Sequence, residues 1–389
     1  MTESPDAADT STRYAVGRMA RVGHARERAA DSAHGQMMRH RRARILALLL
    51  PLAGCSREGR PPRDTAATRG GEVDLGAPVS ERELARFAPL PAVMAAPGIS
   101  RSAAEIALGR RLFHESVLSN GHDVSCNSCH ALNGYGADGR KVSFGDLGHA
   151  GERNAPSVYN AAGQVAQFWD GRAPTVEEQA KGPILNRGEM AMPDSSAVLD
   201  HMRASAEYRA MFKAAYPDVR EAITYDNVGR AIGAFERGLV TPGRWDRYLA
   251  GDRHALSRDE IRGFATFSRA GCANCHNGAY VGGQMFMKLG VAKPWPTSTD
   301  SGRYLVTHKP EDLFVFKVPS LRNVEHTGPY FHDGSVASLD SAIRMMGRHQ
   351  LGVELTSAQV RDINLWLNAL TGALPAAYIA EPPRAKMER

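Results

Sequence analysis

Little cysteine, no long apolar run and no true excess of either charge bound this chain before any motif is read. Five cysteines occur in 389 residues. The apolar run Ile45 to Leu52 is too short to span a bilayer. No alternating run of β-branched residues reaches a useful length, so the class should be mostly α with little β structure. The formal charge of +6 comes from 48 Lys+Arg against 42 Asp+Glu. Nine of those basic and five of those acidic residues lie within 1–54, which leaves 39 against 37, or +2, for the rest. A pI near 9.1 therefore makes no case for nucleic acid.

Four of the five cysteines fall in two copies of one motif: Cys126-Asn127-Ser128-Cys129-His130 and Cys272-Ala273-Asn274-Cys275-His276. Each reads as a covalent c-type haem attachment site. Two thiols three residues apart, on a turn of near-helical pitch, reach the two vinyl groups on one porphyrin edge together. The next residue, a His, then sits under the iron as its proximal ligand. Zinc is the competing reading of a Cys-x-x-Cys pair, but no further Cys remains to complete either site. An aromatic share of only 7% agrees with cores that a porphyrin helps to fill.

The fifth cysteine has a different setting. A basic stretch, Arg39 to Arg44, precedes Ile45–Leu52 and then Ala53-Gly54-Cys55. This is a secretory signal pattern, and its end looks like a bacterial lipoprotein signal with Cys55 as the lipidated residue. An ordinary cleaved signal is the alternative. A start at Met37 or Met38 would shorten the leader. Export to the periplasm, with membrane contact only through a lipid anchor, agrees with haem attachment outside the cytoplasm. Residues 1–54 are then a leader and 55–80 a solvated tether rich in Arg, Pro, Gly and Thr. The mature chain from Cys55 has 335 residues, enough for two cores.

Three capping boxes mark helix starts, at Ser102/Glu105, Ser257/Glu260 and Thr356/Gln359. Apolar residues follow each at spacings of three and four. The third helix should end at Gly372. A further helix is expected over Tyr225 to Gly238. The pattern of helix, haem motif, long loops and closing helix occurs twice. It implies two cytochrome c-like haem domains, 81–240 and 241–375, joined by a linker near 238–257, with a tail at 376–389.

The stretches between the motifs resemble the bacterial di-haem cytochrome c peroxidases and the related methylamine-utilisation enzymes. The matching segments are Leu108–Phe113, Asn154-Ala155-Pro156-Ser157-Val158-Tyr159-Asn160, Gln167–Ala173, Glu178–Ile184, Gly188-Glu189-Met190, Val318–Val324 and Gly328–Gly334. They span roughly residues 85–375. The resemblance implies reduction of hydrogen peroxide to water, with electrons entering through the C-terminal haem and passing to the N-terminal, peroxidatic one.

It also implies residue roles. Glu189 would be the acid/base carboxylate, Gln179 a pocket amide and Trp169 the aromatic residue between the haems. His149, in the Gly-rich segment 133–151, would be a displaceable ligand opposite His130. The Met-Gly pattern falls on Met346-Gly347, about seventy residues after His276, which makes Met346 the thioether ligand of the second iron. Met285 and Met287 read as packing. The methylamine branch would carry a Tyr as this ligand, so a Met favours the peroxidase branch. A calcium ion is implied at the Asn154 side chain and the Thr327 and Pro329 carbonyls. The implied partners are a small cytochrome c or copper-protein donor and a second copy in a homodimer. A non-catalytic di-haem electron carrier and a di-haem oxidase using high-valent haem are the competing functions.

Overall fold

The computed structural model describes residues 78–96, 101–296 and 299–383. The leader, Cys55 and the tether as far as residue 77 lie outside the described residues. The last of the tether is already folded, because Ser80 caps the first helix.

In chain order the helices are α1 (Glu81–Leu84), α2 (Ala103–Phe113), α3 (Cys126–Cys129), α4 (Val176–Leu185), α5 (Ser195–Ala204), α6 (Ala206–Ala215), α7 (Tyr225–Glu236), α8 (Arg244–Leu249), α9 (Arg258–Ala270), α10 (Tyr304–Thr307), α11 (Leu339–Met345), α12 (Ser357–Asn368) and α13 (Ala376–Ile379). The strands β1 (Phe286–Lys288) and β2 (Val315–Lys317) form an antiparallel pair with Met287 opposite Phe316. The fold is thus mostly helical with little sheet.

Local chemistry sets the helix starts. The boxes at Ser257/Glu260 and Thr356/Gln359 close in both directions. At α2 only half the box forms. Ser102 accepts the Glu105 N–H at 3.0 Å, but the Glu105 carboxylate turns inward and is buried near Tyr216 and Arg230. Gly271, at φ 100°, ends α9 in the left-handed conformation and delivers the chain straight into Cys272. α12 stops at Asn368, short of Gly372. Gly372 instead pairs with Gly243, where a Cβ would overlap the Thr241 carbonyl.

Two large hydrophobic clusters and a small third one, of Leu90, Met94 and Val240, fill the described unit. The first draws Leu108, Leu112 and Phe113 of α2, Phe212 of α6 and Phe235 of α7 around the first motif. The second draws Trp245 of α8, Phe264 of α9 and Ile363 and Trp366 of α12 around the second motif. The chain ends cross over between them. Phe87, just after α1, packs edge-on to Trp245 and Trp366 in the second cluster. Tyr378 of α13 stacks on Phe235 in the first, at 5.1 Å, and donates to the Phe235 carbonyl. Residues near 81 thus pack with the second motif's cluster and residues near 376 with the first. The stretch read as a linker holds α8, whose Trp245 is wholly buried. One large aromatic gains more by burial than a loop gains by solvation.

The two halves share a scaffold. Pro156-Ser157-Val158-Tyr159-Asn160 and Pro319-Ser320-Leu321-Arg322-Asn323 have the same Pro-Ser-x-x-Asn spacing. Ser157 Oγ donates to the Tyr135 carbonyl and Ser320 Oγ to the Tyr280 carbonyl, each at 2.6 Å. Asn160 and Asn323 are both fully buried, at φ 58° and 60°. Asn tolerates this left-handed region better than most residues. Both side-chain amides donate to one hydroxyl, Thr241 Oγ1, at 2.8 Å.

Candidate functional site

That scaffold sets the two motif histidines. Around His130, Nδ1 lies 3.4 Å from the Gly136 carbonyl, with the Pro156 carbonyl also near. Around His276, the nearest carbonyls are those of Val281 and Pro319, but neither makes a well-formed bond, and Nδ1 is a buried atom without a partner. Gly282, at φ 121°, permits this approach, since a Cβ there would meet the Pro319 carbonyl. Burial pulls both imidazoles down, His276 to about 4. They are therefore neutral at pH 7, the state an iron ligand requires. The Nδ1 side facing a carbonyl leaves Nε2 for a metal.

The second motif opens onto a cavity of ≈ 260 Å³. A single water needs about 10–15 Å³, so this is room for a large group. Cys272, Cys275 and His276 line it together with Met346. Met345, its neighbour in the chain, is not on that wall. Met287, expected only to pack, is. Met346 begins a π-helical turn, Met346–Leu351, that continues α11; such turns often mark functional positions.

The first motif is bounded differently. Its partner is the return that follows α4. Pro183 and Ile184 offer their carbonyls to the Met190 and Met192 N–H groups, so the chain folds back on the helix end. Asn186 shapes the turn, accepting the Gly188 N–H and donating to Glu189 Oε1 at 2.9 Å. Glu189 is half-buried, and burial raises its carboxyl above the usual range against the pull of Arg172 and Asn186. It lies close to the motif cysteines, both of whose thiols are pushed up mainly by burial, with Glu189 among the carboxylates that add to this. Gln179 is half-buried on α4.

The segment 133–151 is less free than its glycines suggest. Tyr135 stacks on His326 at 4.3 Å, and Asn154 Nδ2 donates to the Arg140 carbonyl at 2.9 Å. The buried Asp146 carboxylate accepts the Gly121 N–H, and the Asp146 N–H donates to the Glu189 carbonyl. The tip stands out furthest. Leu147 is 72% exposed at φ 51°, and His149 is exposed at the end of a turn closed by the Phe144–Ala150 bridge.

One loop faces both sites. The Gln167–Ala173 pairing closes it. On one side Phe168 packs toward Gly182 of α4 and carries the Arg172 guanidinium 3.5 Å over its ring. On the other Trp169 lines the second cavity, with Nε1 donating to the Asn154 carbonyl at 2.9 Å. Asn154, Thr327 and Pro329 line the same cavity. The described residues hold no cluster of three His, Cys, Asp or Glu fit for a metal, and none of their helices is long and apolar enough to cross a membrane.

Comparisons with known proteins agree with this geometry. The sequence profile of the family described as di-haem cytochrome c peroxidase matches residues 103–254. The cytochrome c551 peroxidase of Nitrosomonas europaea is 44% identical over 271 residues, 69% of this chain and 80% of that protein. The cytochrome c551 peroxidase of Pseudomonas aeruginosa is 41% identical over 273 residues, 69% of this chain and 79% of that one. The chain belongs to the di-haem cytochrome c peroxidase and MauG family. The crystal structure of a MauG-like protein associated with microbial copper homeostasis superposes with a TM-score of 0.68 at 29% identity, covering 75% of this chain and 97% of that one.

Family membership implies two c-type haems, and the residues fit them. Each Cys pair is followed by a half-buried His whose imidazole is drawn below its ordinary value by burial, and the second opens onto a cavity of suitable size. Arg172 and Asn186, which bracket Glu189, escaped the sequence reading. So did the paired Pro-Ser-x-x-Asn segments, although their spacing was there to be seen.

Proposed function

We propose that the protein is a di-haem c-type peroxidase that reduces hydrogen peroxide to water with electrons from a small redox protein. The observation that carries this reading is Glu189, an acid raised by burial and presented beside the first Cys pair, whereas the wall of the second cavity offers a thioether instead. When bound, the haems supply the redox chemistry. Cys126, Cys129 and His130 would hold one; Cys272, Cys275 and His276 would hold the other, with the Met346 thioether as a further ligand.

The chain's own groups do the rest. The Glu189 carboxyl takes a proton from one peroxide oxygen and returns it to the other, so that one oxygen leaves as water. Asn186 holds that carboxyl by a hydrogen bond, Arg172 acts on it through its charge, and Gln179 offers an amide to the substrate. Trp169 stands between the second cavity and the loop that meets Glu189, on the path an electron takes from the C-terminal to the N-terminal haem. His149 acts as the displaceable ligand, and its exposed place corresponds to the form open to peroxide. Calcium fits at Asn154 Oδ1 and the Thr327 and Pro329 carbonyls, neutral oxygens that no donor among the described residues engages, with water completing the shell. A small cytochrome c or copper protein docks near the second haem, the enzyme works as a homodimer, and Cys55 anchors it in the periplasm.

The test is spectroscopy of the half-reduced protein followed by mixing with H₂O₂. A five-coordinate signal at the first haem, with rapid turnover, supports the enzyme. Two low-spin haems at every potential, with no turnover, identify an electron carrier.

A further inference from the structure

Lys317 has no role in the scheme above, and its surroundings demand one. It is 7% exposed and sits on β2 in the wall of the second cavity. Its ammonium donates to Gln164 Oε1 at 2.6 Å and to the Ala166 carbonyl at 2.8 Å. Both acceptors are uncharged, and the third N–H finds no acceptor among the described residues. A buried cation without an anion is costly, and burial draws this lysine down to about 8.

The one carboxylate that acts on it, Asp170, is already engaged. Asp170 Oδ2 accepts from Arg153 at 2.6 Å and from Arg172 at 2.9 Å, and Arg153 also holds Asp300. Although Arg172 acts on Glu189 as well, Asp170 has little charge left over for Lys317. The cavity wall itself carries an imbalance. Lys288, Lys317 and Arg322 line it, and no Asp or Glu does. Arg322 is neutralised by both oxygens of Asp246, at 2.7 and 2.9 Å, and Lys288 is exposed. Lys317 is left as the buried positive charge that the protein does not answer.

We propose that Lys317 is a positioning residue that binds a carboxylate of the group filling the second cavity, which on the reading above is a haem propionate. It thereby raises the potential of the second haem. The inference rests on that reading for the identity of the carboxylate. The Lys317 backbone N–H donates to the Trp169 carbonyl at 2.8 Å. The same residue therefore fixes the carboxylate-bearing edge and the tryptophan beside it. A fixed cation near the iron favours the form carrying the extra electron, so its loss should favour the oxidised form.

The experiment is a spectroelectrochemical titration of the purified two-haem protein, with haem content measured first. Lys317→Met should shift the second haem's redox equilibrium about tenfold toward the oxidised form, a fall of 59 mV for a one-electron couple. Lys317→Arg, which keeps the charge, should hold it within about twofold of wild type. Lys213→Met, at an exposed site, should leave it unmoved. Equal shifts in the Met and Arg variants, or no shift in either, overturn the proposal. If Lys317→Met does not accumulate, the arginine variant decides through the infrared difference spectrum on reduction. A displaced carboxylate band supports the contact, and an unchanged one refutes it. Two haems with active wild-type turnover but an insensitive potential would defeat this inference alone; a chain without two haems would defeat the functional reading itself.

Discussion

The two motif regions set their histidines in similar frames and differ in what they place around them. In both, a Pro-Ser-x-x-Asn segment lies beside a half-buried imidazole, though only His130 Nδ1 reaches a carbonyl partner. Around the first stand an acid raised by burial and a loop with an exposed tip. Around the second stand a large cavity, two thioethers, and no carboxylate. A duplicated scaffold can thus serve two kinds of iron if only the distal surroundings diverge, because the proximal contacts set geometry and the distal ones set reactivity.

Exchanging the distal character of the second site should have the largest effect. On the proposed reading, Met346→His would replace a thioether that favours ferrous iron with a group that does not. The second haem's potential should fall and activation by half-reduction should be lost. Met287→Leu, on the same cavity wall, should leave both intact. Stopped-flow turnover of the two variants distinguishes them, and undiminished activity in Met346→His would remove it from the iron.

At the first site, Glu189→Gln keeps the size of the side chain and removes its proton chemistry. Peroxide turnover should fall by about 10²–10⁴-fold, while both haem spectra stay as they are. Wild-type rates in this variant would exclude the carboxylate from the reaction.

A third comparison concerns stability. Each half contains one buried, doubly bonded Arg–carboxylate pair: Arg237 with Glu177 at 2.6 and 2.9 Å, and Arg322 with Asp246. Removing one partner strands a buried charge, at about 3–5 kcal/mol. Arg237→Met and Arg322→Met should each lower stability by that amount in denaturant titrations. The pH signs can be worked out for Glu177. Burial alone would raise it, but Arg237 holds it below its ordinary 4.5. Its contribution is therefore complete above pH 4.5 and is lost as the pH falls through the lowered folded value. Wild type should lose stability in that acid range, and Glu177→Gln should lose less there.

What the sequence revealed was mostly local. The Cys-x-x-Cys-His motifs, the capping boxes at 257 and 356 and the helix at Tyr225 depend on neighbours within four residues, and they formed as read. At Ser102 the local rule gave way, because the Glu105 carboxylate found tertiary partners. The exchanged chain ends and α8 inside the supposed linker depend on contacts across long separations, which periodicity does not encode, whereas the Asn186 bond to Glu189 spans only three residues. Lys317 reads as a surface lysine in any window of sequence; only the fold buries it. The Pro-Ser-x-x-Asn repeat was legible but hidden by unequal spacing. Its prolines fall 26 residues after His130 and 43 after His276, so no fixed period brings them into register.

The last comparison tests whether the two halves are joined where the repeat meets. Thr241 Oγ1 accepts both Asn160 and Asn323, and the Thr241 N–H donates back to Asn160 Oδ1 at 3.1 Å. Thr241→Val keeps the shape and leaves two buried amides without their acceptor, each worth about 1–3 kcal/mol. Thr241→Ser keeps the acceptor. If the hydroxyl pins both proximal segments, the valine variant should lose stability and increase amide exchange near residues 156–160 and 319–323 alike, and serine should restore both. Exchange that rises in one segment alone would mean that the halves hold their histidines independently, and that the shared hydroxyl is a packing coincidence.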